Sequence, residues 1–539
     1  MNRTFRLLLA LFAVLTLGLA YANVEFGLND ASFETFRDAG DVASTCESEP
    51  SGFWCERQDE PLTLIPTKGL DVFVDEVGEI VAAFAKPQKG QNISNYNLGN
   101  RQNLIPPTAT LPGGAVLLDG AYLPPEGDIE TAWERLDETT FEGTFQYTSG
   151  DYVVERRLQV SSISHTLTMD VAVTRNEGGT EAETVQVVFP GIAGVSDPVM
   201  KVGQGEGDAG SHATNPLAQA VGNPSYISLQ NNDRNTAFAI IMRPQEGEEG
   251  ATDLQALPRP PRQIALQTTW EDGATEANLP ITVYLGPNEL VRYTQEGYAD
   301  LPGLFTPNIL GRISLGVLWA LESIHDRVGN WGLSIIILTL LFRVLIWPLI
   351  QTQTKSMYGM QALQPKLQEL QKKHKDDRET LTQETMKLYR EAGVNPAGGC
   401  LPLLAQMPLF IILWRVFVNF EFAEGFLWVP DLGQADPFYI LPVLYVAIMF
   451  GMSYFSSRGN PQSFRQQVII NVVFAFILFG FPAGVLLYFV VSMGVQVLQY
   501  WLIQRSRPSK DAGGKDDGPK GGKGKKKSKA KADAKPASA

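Results

Sequence analysis

Five apolar runs crowd the second half of this chain, at residues 330–350, 398–420, 438–456, 466–481 and 483–504. A run of about 20 apolar residues is long enough to cross a bilayer as an α-helix. In lipid, only a helix or a closed barrel satisfies every backbone polar group, so runs of this kind predict membrane-spanning helices. The last two runs are split by Phe481-Pro482-Ala483-Gly484, a Pro–Gly break that predicts a tight hairpin.

Charge between the runs fixes their orientation. Segment 351–397 carries Lys355, Lys366, Lys372, Lys373, Lys375, Arg378, Lys387 and Arg390. The turn at 457–465 holds Arg458 and Arg465 without an acid, and the tail 505–539 is a lysine-rich, low-complexity stretch running through Lys510, Lys525, Lys526, Lys527 and Lys535. Loop 421–437 instead carries Glu421, Glu424, Asp431 and Asp436 and no base. The positive-inside rule puts the three basic segments in the cytoplasm and the acidic loop outside, which alternates correctly with five spans. Residues 351–397 also read as a helical hairpin, with apolar Met360, Leu363, Leu367, Leu370, Leu381, Met386, Leu388 and Tyr389 on either side of a charged tip. The tail predicts a disordered segment, either with reach for anionic lipid or ribosomal RNA or serving only to solubilise the chain and fix its topology.

The first half differs in kind. The net charge of −14 averages an acidic first half with that basic tail. Residues 1–22 place Arg3 and Arg6 before an apolar run from Leu7 to Ala20, a signal or anchor segment that exports the chain beyond it. Ala20-Tyr21-Ala22 has the form of a cleavage site, and cleaved signal and retained anchor both remain open. Over 23–305, period-two alternation at 70–75, 79–84, 152–160, 167–173 and 185–189, broken by Gly, Pro, Asn and Asp, predicts one all-β sandwich-like domain. Residues 306–329 form a bridge; within them Ile309, Leu310, Ile313, Leu315, Val317, Leu318, Leu321 and Ile324 recur at helical spacing, as in an amphipathic helix lying on the outer membrane surface or packed on the β domain. The fold class is therefore a multidomain membrane protein: an α-helical five-span core, an N-terminal anchor and an exported β-sandwich-like domain.

Chemistry-bearing groups are sparse. The three cysteines are Cys46, Cys55 and Cys400. Cys46 and Cys55 lie close together on the exported side, either as a disulfide or as two free thiols; Cys400 reads as packing. The four histidines show no metal-ligand spacing. No P-loop is present and no nucleophile–base set is placed in the spans, so no cofactor, metal or covalent reaction is expected. The informative residue is Arg343, inside the first run and without a nearby acid. A charge at the bilayer centre costs about 2.5–3.5 kcal/mol on insertion scales. Arg343 lies about 10 Å of helix from the end of its run; either the side chain faces a wet cavity open to the cytoplasm, or it snorkels to the headgroups or pairs with a lipid phosphate. Thr339, one turn earlier, shares its face. Gln406, Asn471, and the four-spaced stripe Tyr488, Ser492 and Gln496 are the other polar residues of the runs, as groove lining or as interhelical glue.

Several separated stretches, in order, carry a resemblance: Trp331 to Arg343, Leu363 to Lys366, Tyr389 to Pro408, and Phe481 to Gly484. Over about 305–505 the chain resembles the YidC/Oxa/Alb insertase family. The resemblance implies a membrane protein insertase and chaperone with a hydrophilic groove closed to the outside and open to cytoplasm and lipid. It implies that Arg343, Thr339 and Tyr488 line that groove, and that Gly332, Phe410 and Tyr445 line the slide along which a client leaves. Phe489 stands at a slide position where relatives often carry Tyr. The resemblance also implies nascent membrane-protein clients, cooperation with the Sec translocon and the ribosome, a periplasmic location for residues 23–330 and a place in the inner membrane. A polytopic transporter or channel is the competing class, but the spans show no internal repeat.

Overall fold

The computed structural model describes residues 35–36 and most of 62–505; outside it lie mainly 1–34, 37–61, 86–103, 177–182, 192–197, 232–237, 246–252, 348–350, 352–358, 394–400, 457–463, 473–477 and 506–539. The N-terminal segment 1–22, Cys46, Cys55, Cys400 and the lysine tail from 506 onward thus fall outside the described residues. Backbone packing divides the chain into two compact units, Met1–Val495 and Gln496–Ala539.

The alternating segments of the first half form strands. A nine-stranded antiparallel sheet runs in the spatial order Ser211–Thr214, Val199–Gln204, Pro224–Gln230, Phe238–Pro244, Glu276–Pro287, Thr166–Arg175, Tyr152–Ser161, Thr140–Ser149 and Glu126–Arg135. A six-stranded sheet, in the order Val221–Gly222, Gln255–Arg259, Gln263–Thr269, Thr184–Phe189, Ala115–Leu118 and Ala121–Tyr122, faces it. Phe145, Leu158 and Met169 of the first meet Val116, Val187 and Leu266 of the second in one dry core, the inner faces of a sandwich. Four further strands, Thr35–Phe36, Leu62–Pro66, Leu70–Val74 and Ile80–Ala85, make a small third sheet whose Val72, Val74 and Ile80 join the same core.

One inward position breaks the apolar alternation. Along Tyr152–Ser161 the buried row is Tyr152, Val154, Arg156, Leu158 and Val160. Arg156 is fully enclosed: it donates to the carbonyls of Val77 and, at 2.9 Å, Gly114, and its Nη2 lies 3.7 Å from Glu79 Oε1. The pair ties the small sheet to the sandwich. Removing one member of a buried ion pair leaves the other charge stranded and costs about 3–5 kcal/mol, whereas replacing both loses less. Arg156→Met is therefore expected to lower the unfolding temperature of the full chain more than Arg156→Met combined with Glu79→Gln. Thermal unfolding followed by the β-sheet circular dichroism checks this ordering; the reverse order would mean that the pair is not coupled.

Beyond the last strand, helix α1 (Leu290–Gln295) links the domains. Tyr293 packs with Tyr226, Tyr284 and Tyr298 on the outer face of the large sheet, while Val291 enters the helical core. Helix α2 (Ile309–Val328) begins where the Asn308 side chain accepts from the Gly311 amide at 2.8 Å and ends at Gly329, whose φ of 67° is the left-handed turn that glycine supplies readily. Its apolar residues differ in exposure. Val317, Leu318 and Leu321 are buried in the helical core, and Ile309, Leu310, Ile313 and Trp319 are exposed. Asn330 caps helix α3 (Trp331–Leu345) by accepting from the Leu333 amide at 2.9 Å.

Helix α4 (Arg378–Glu391) lies in the basic segment predicted as a hairpin, and residues 365–373 before it are also helical. Asp377 caps α4; the Thr380 hydroxyl and amide hold its carboxyl below the usual range. Helices α5 (Leu401–Asn419), α6 (Ile440–Ser456) and α7 (Ala483–Arg505) complete the core, with helical residues 467–469 and 471–472 between the last two. Over the described residues no helix is long and apolar enough to cross a membrane.

Candidate groove and its sealed end

The buried faces of α2, α3, α5, α6 and α7 share one apolar cluster that includes Leu318, Ile335, Leu338, Val416, Phe417, Leu441, Leu486 and Val490. Its end near Trp331 is closed by aromatic rings and by loop 421–437. His325 stacks on Trp331 at 3.7 Å, and Phe420 and Phe422 meet Trp331 edge-on at 4.8 and 5.7 Å. The loop's acids, read from sequence as a mark of orientation, are its framework. Asp436 accepts from Trp428 Nε1 at 3.0 Å and from the amides of Phe438 and Leu441 at 3.0 and 2.7 Å. Asp431 accepts from the Gly433 amide and from Gln434 Nε2 at 2.7 and 3.0 Å. The loop is then pinned to the predicted hairpin: the amides of Ala483 and Gly484 donate to the carbonyls of Gln434 and Leu432 at 2.6 and 2.8 Å.

Gly332 belongs to this seal. A Cβ built there would lie 2.0 Å from the Phe426 ring, so the missing side chain is where that ring rests. Glu421, at the start of the loop, receives Arg292 Nη2 of α1 at 2.6 Å, with both side chains buried. Gln295 of α1 grips the same residue's backbone, donating to its carbonyl at 2.7 Å and accepting from its amide at 2.9 Å. Arg415 of α5 pairs with Glu289 at 2.9 Å beside it.

Farther along α3, Arg343 is 8% exposed, enclosed although it carries a charge. Its electrostatic neighbours are the phenols of Tyr445 on α6 and Tyr488 on α7; among the described residues no carboxylate pairs with it. From Trp331 to Arg343 the helix rises about 18 Å, so the cation sits well away from the sealed end. Thr339 is buried on the same face and donates back to the Ile335 carbonyl at 2.6 Å, leaving its lone pairs as acceptors. Ser492 is buried one turn beyond Tyr488, and its Oγ has no partner among the described residues. The rings of Phe410, Tyr445 and Phe489 form one run: Phe489 lies 5.7 Å from Phe410, stacked, and 5.5 Å from Tyr445. Phe481 also stacks on Phe410, at 5.9 Å.

Known proteins resemble this chain in sequence. A membrane protein insertase YidC of Deinococcus radiodurans is 39% identical over 331 residues, 60% of this chain and 74% of that protein. This chain belongs to the YidC family of membrane protein insertases. The insertase of Dechloromonas aromatica is 41% identical over 207 residues, 38% of this chain and 37% of that protein, so this second match spans little more than a third of its relative. The family model described as 60Kd inner membrane protein matches residues 323–510. A solved structure of an active YidC insertase superposes with a TM-score of 0.52 over 82% of this chain and 92% of its own, at 20% identity, and supports the YidC-like fold.

Among the expected groove residues, Arg343 and Tyr488 come together, and Tyr445, expected on the slide, joins them. Asn471 turns elsewhere: its amide donates to Ser453 of α6 at 2.9 Å, interhelical glue of the kind its type allows. The Gln406 side chain lies outside the described residues, and Gln496 falls in the second unit. Of the expected slide residues Phe410, Tyr445 and Phe489 are contiguous, whereas Gly332 serves the seal. The seal itself has no signature in the sequence: its acids look like loop charge, and no periodicity marks a loop that packs.

Gly332→Ala is expected to displace Phe426 and loosen the loop without touching Arg343. The backbone pair Phe426–Val429, hydrogen-bonded at 2.8 and 3.0 Å, reports on it. Amide exchange at these two residues should quicken by about tenfold or more in the variant, as local opening becomes easier. Unchanged protection would mean that the loop holds without that ring.

Proposed function

We propose that this insertase moves short polar segments of nascent membrane proteins across the inner membrane through a groove centred on Arg343, open toward the cytoplasm and sealed outside. The observation that carries the reading is the enclosed guanidinium, paired with no acid among the described residues and set among helices whose other end is closed. Five spans, 330–350, 398–420, 438–456, 466–481 and 483–504, form the membrane part, with 1–22 as a sixth, N-terminal anchor. Exposed Leu341, Val344, Leu345, Val443 and Ile469 support a lipid-facing belt around them. Residues 23–330 stand in the periplasm. Helix α2 lies along the outer interface, where exposed Ile309, Ile313 and Trp319 suit the boundary between headgroup and acyl chain. The hairpin 351–397 and the tail 505–539 lie in the cytoplasm, where they receive clients, ribosomes and anionic lipid. The Sec translocon is a partner for larger clients.

The transfer needs no covalent step. A client's acidic segment enters the groove, drawn by Arg343, and so crosses a shorter stretch of low dielectric. Its apolar helix leaves along the rings of Phe410, Tyr445 and Phe489 into lipid, and burial of apolar surface there, worth about 25 cal/mol per Å², drives the step. The membrane potential adds about 2.3 kcal/mol per negative charge moved outward per 100 mV.

Arg343→Ala is expected to slow insertion of a client with an acidic translocated segment by about tenfold or more, equivalent to about 1.4 kcal/mol at the barrier. The same client with Asn and Gln in place of its acids should suffer much less, and Arg343→Lys should restore most of the loss. Reconstitution in liposomes with a small client that needs no translocon measures all three. Equal insertion of both clients by Arg343→Ala and the parent protein would refute the groove.

A further inference from the structure

We infer that the joint between the β sandwich and the helical core is an acid-sensitive clasp, in which protonation of buried His165 loosens α1 from the large sheet and, through α1, from loop 421–437. The inference concerns the joint itself and depends on neither the groove nor the compartments assigned above.

The clasp has two grips on one short helix. At the end of α1, Glu296 holds the sheet: its Oε1 accepts from the His165 amide at 3.0 Å and its Oε2 from the Ser164 hydroxyl. One residue earlier, Gln295 pairs with both backbone groups of Glu421. One turn earlier, Arg292 reaches Glu421 Oε1 at 2.6 Å and Gln295 Oε1 at 3.1 Å. Helix α1 is only six residues long, so a shift at the sheet grip is felt at the loop grip.

His165 stands at the sheet grip with little room to adjust. It is buried, its ring lies 6.1 Å from that of Tyr284, and a Cβ built on Gly286 would lie 2.7 Å from it. Its Nδ1 is 3.8 Å from Glu296 Oε1, within reach of an ion pair but too long for a hydrogen bond. Both oxygens of that carboxylate already accept from other donors. The charged and titratable groups around the ring are Glu296 and Arg292 of α1, Glu421 of the loop and the Tyr284 phenol. Tyr298, beside Glu296, is covered by the Arg243 guanidinium at 5.3 Å. Burial, reinforced by the charge of Arg292, outweighs the pull of Glu296 and Glu421 and holds the imidazole below its usual range. An opened joint exposes the ring to water, where it takes up a proton more readily than in the closed joint. Proton uptake therefore favours opening. The closed joint keeps its full stability above the ordinary imidazole value of 6.5 and loses it as pH falls below that value.

The experiment follows backbone amide exchange in the full chain in lipid nanodiscs from about pH 7.5 to about pH 5.5, with rates corrected for the intrinsic pH dependence of exchange. The reporters are the His165 amide, bound to Glu296, and the Glu421 amide, bound to Gln295. Met169, in the interior of the large sheet, is the reference. Protection at both reporters should fall by about tenfold one pH unit below the ordinary imidazole value, the linkage of a single proton, while Met169 holds. In His165→Gln, which does not titrate, the fall should vanish at both reporters, with Met169 showing that the sheet is folded. An equal fall in the variant would assign the response to another group and overturn the clasp. Loss at His165 alone, with Glu421 level, would also overturn it, because the two grips would then be uncoupled. If His165→Gln does not fold, NMR titration of the His165 ring in the histidine-labelled parent protein decides. Ionisation below the ordinary value, in step with the loss of protection, supports the clasp; ionisation at or above it with both reporters still protected refutes it.

Discussion

A guanidinium enclosed by apolar helices, with two phenols beside it and no carboxylate as partner among the described residues, is the constraint around which the helical half is arranged. A charge at the centre of a bilayer costs about 2.5–3.5 kcal/mol on insertion scales. Proteins that hold one usually neutralise it with a nearby acid. Here the acids of the region are engaged about 18 Å away along the helix, building the loop that closes the end near Trp331: Asp436 on Trp428 and the start of α6, Asp431 on its own turn, Glu421 on Arg292. Among the described residues these acids are thus engaged away from Arg343.

The seal explains why a large β domain is fastened to such a core. Helix α1 is short, yet it meets three partners at once: the tyrosine layer on the sheet through Tyr293, the helical cluster through Val291, and the cap through Arg292 and Gln295. The Arg292–Glu421 pair, with both side chains buried, depends on that fit, because a buried ion pair repays its desolvation only when geometry is good and further hydrogen bonds assist. Gln295 supplies that assistance by pairing with both backbone groups of Glu421. The sandwich thus braces the loop from outside, and Gly332 admits Phe426 from inside.

Much of this is legible in the residues. Alternation at 152–160 and 167–173 reads directly as strands because a sandwich face repeats every two residues. Arg343 announces itself because a cation in an apolar run has few physical solutions. Three features are not legible. Arg156 occupies an inward register that alternation assigns to an apolar residue, and only Glu79, far off in sequence, makes that tolerable. The apolar positions of α2 look alike in a list but differ in exposure: Ile309, Leu310 and Ile313 in its first turns are exposed, as is Trp319, while Val317, Leu318 and Leu321 are buried. Tyr445 reads as one more aromatic in a span, because proximity to Arg343 is a tertiary fact with no local signature.

A groove of this kind requires that water reach Arg343 from the cytoplasmic side only. With Cys46, Cys55 and Cys400 replaced by serine, a single cysteine at position 343 can be challenged with a membrane-impermeant thiol reagent in inside-out and right-side-out vesicles. Labelling in inside-out vesicles alone is the predicted result. Labelling from the periplasmic face, or none from either face in folded protein, would contradict a groove sealed outside and wet within.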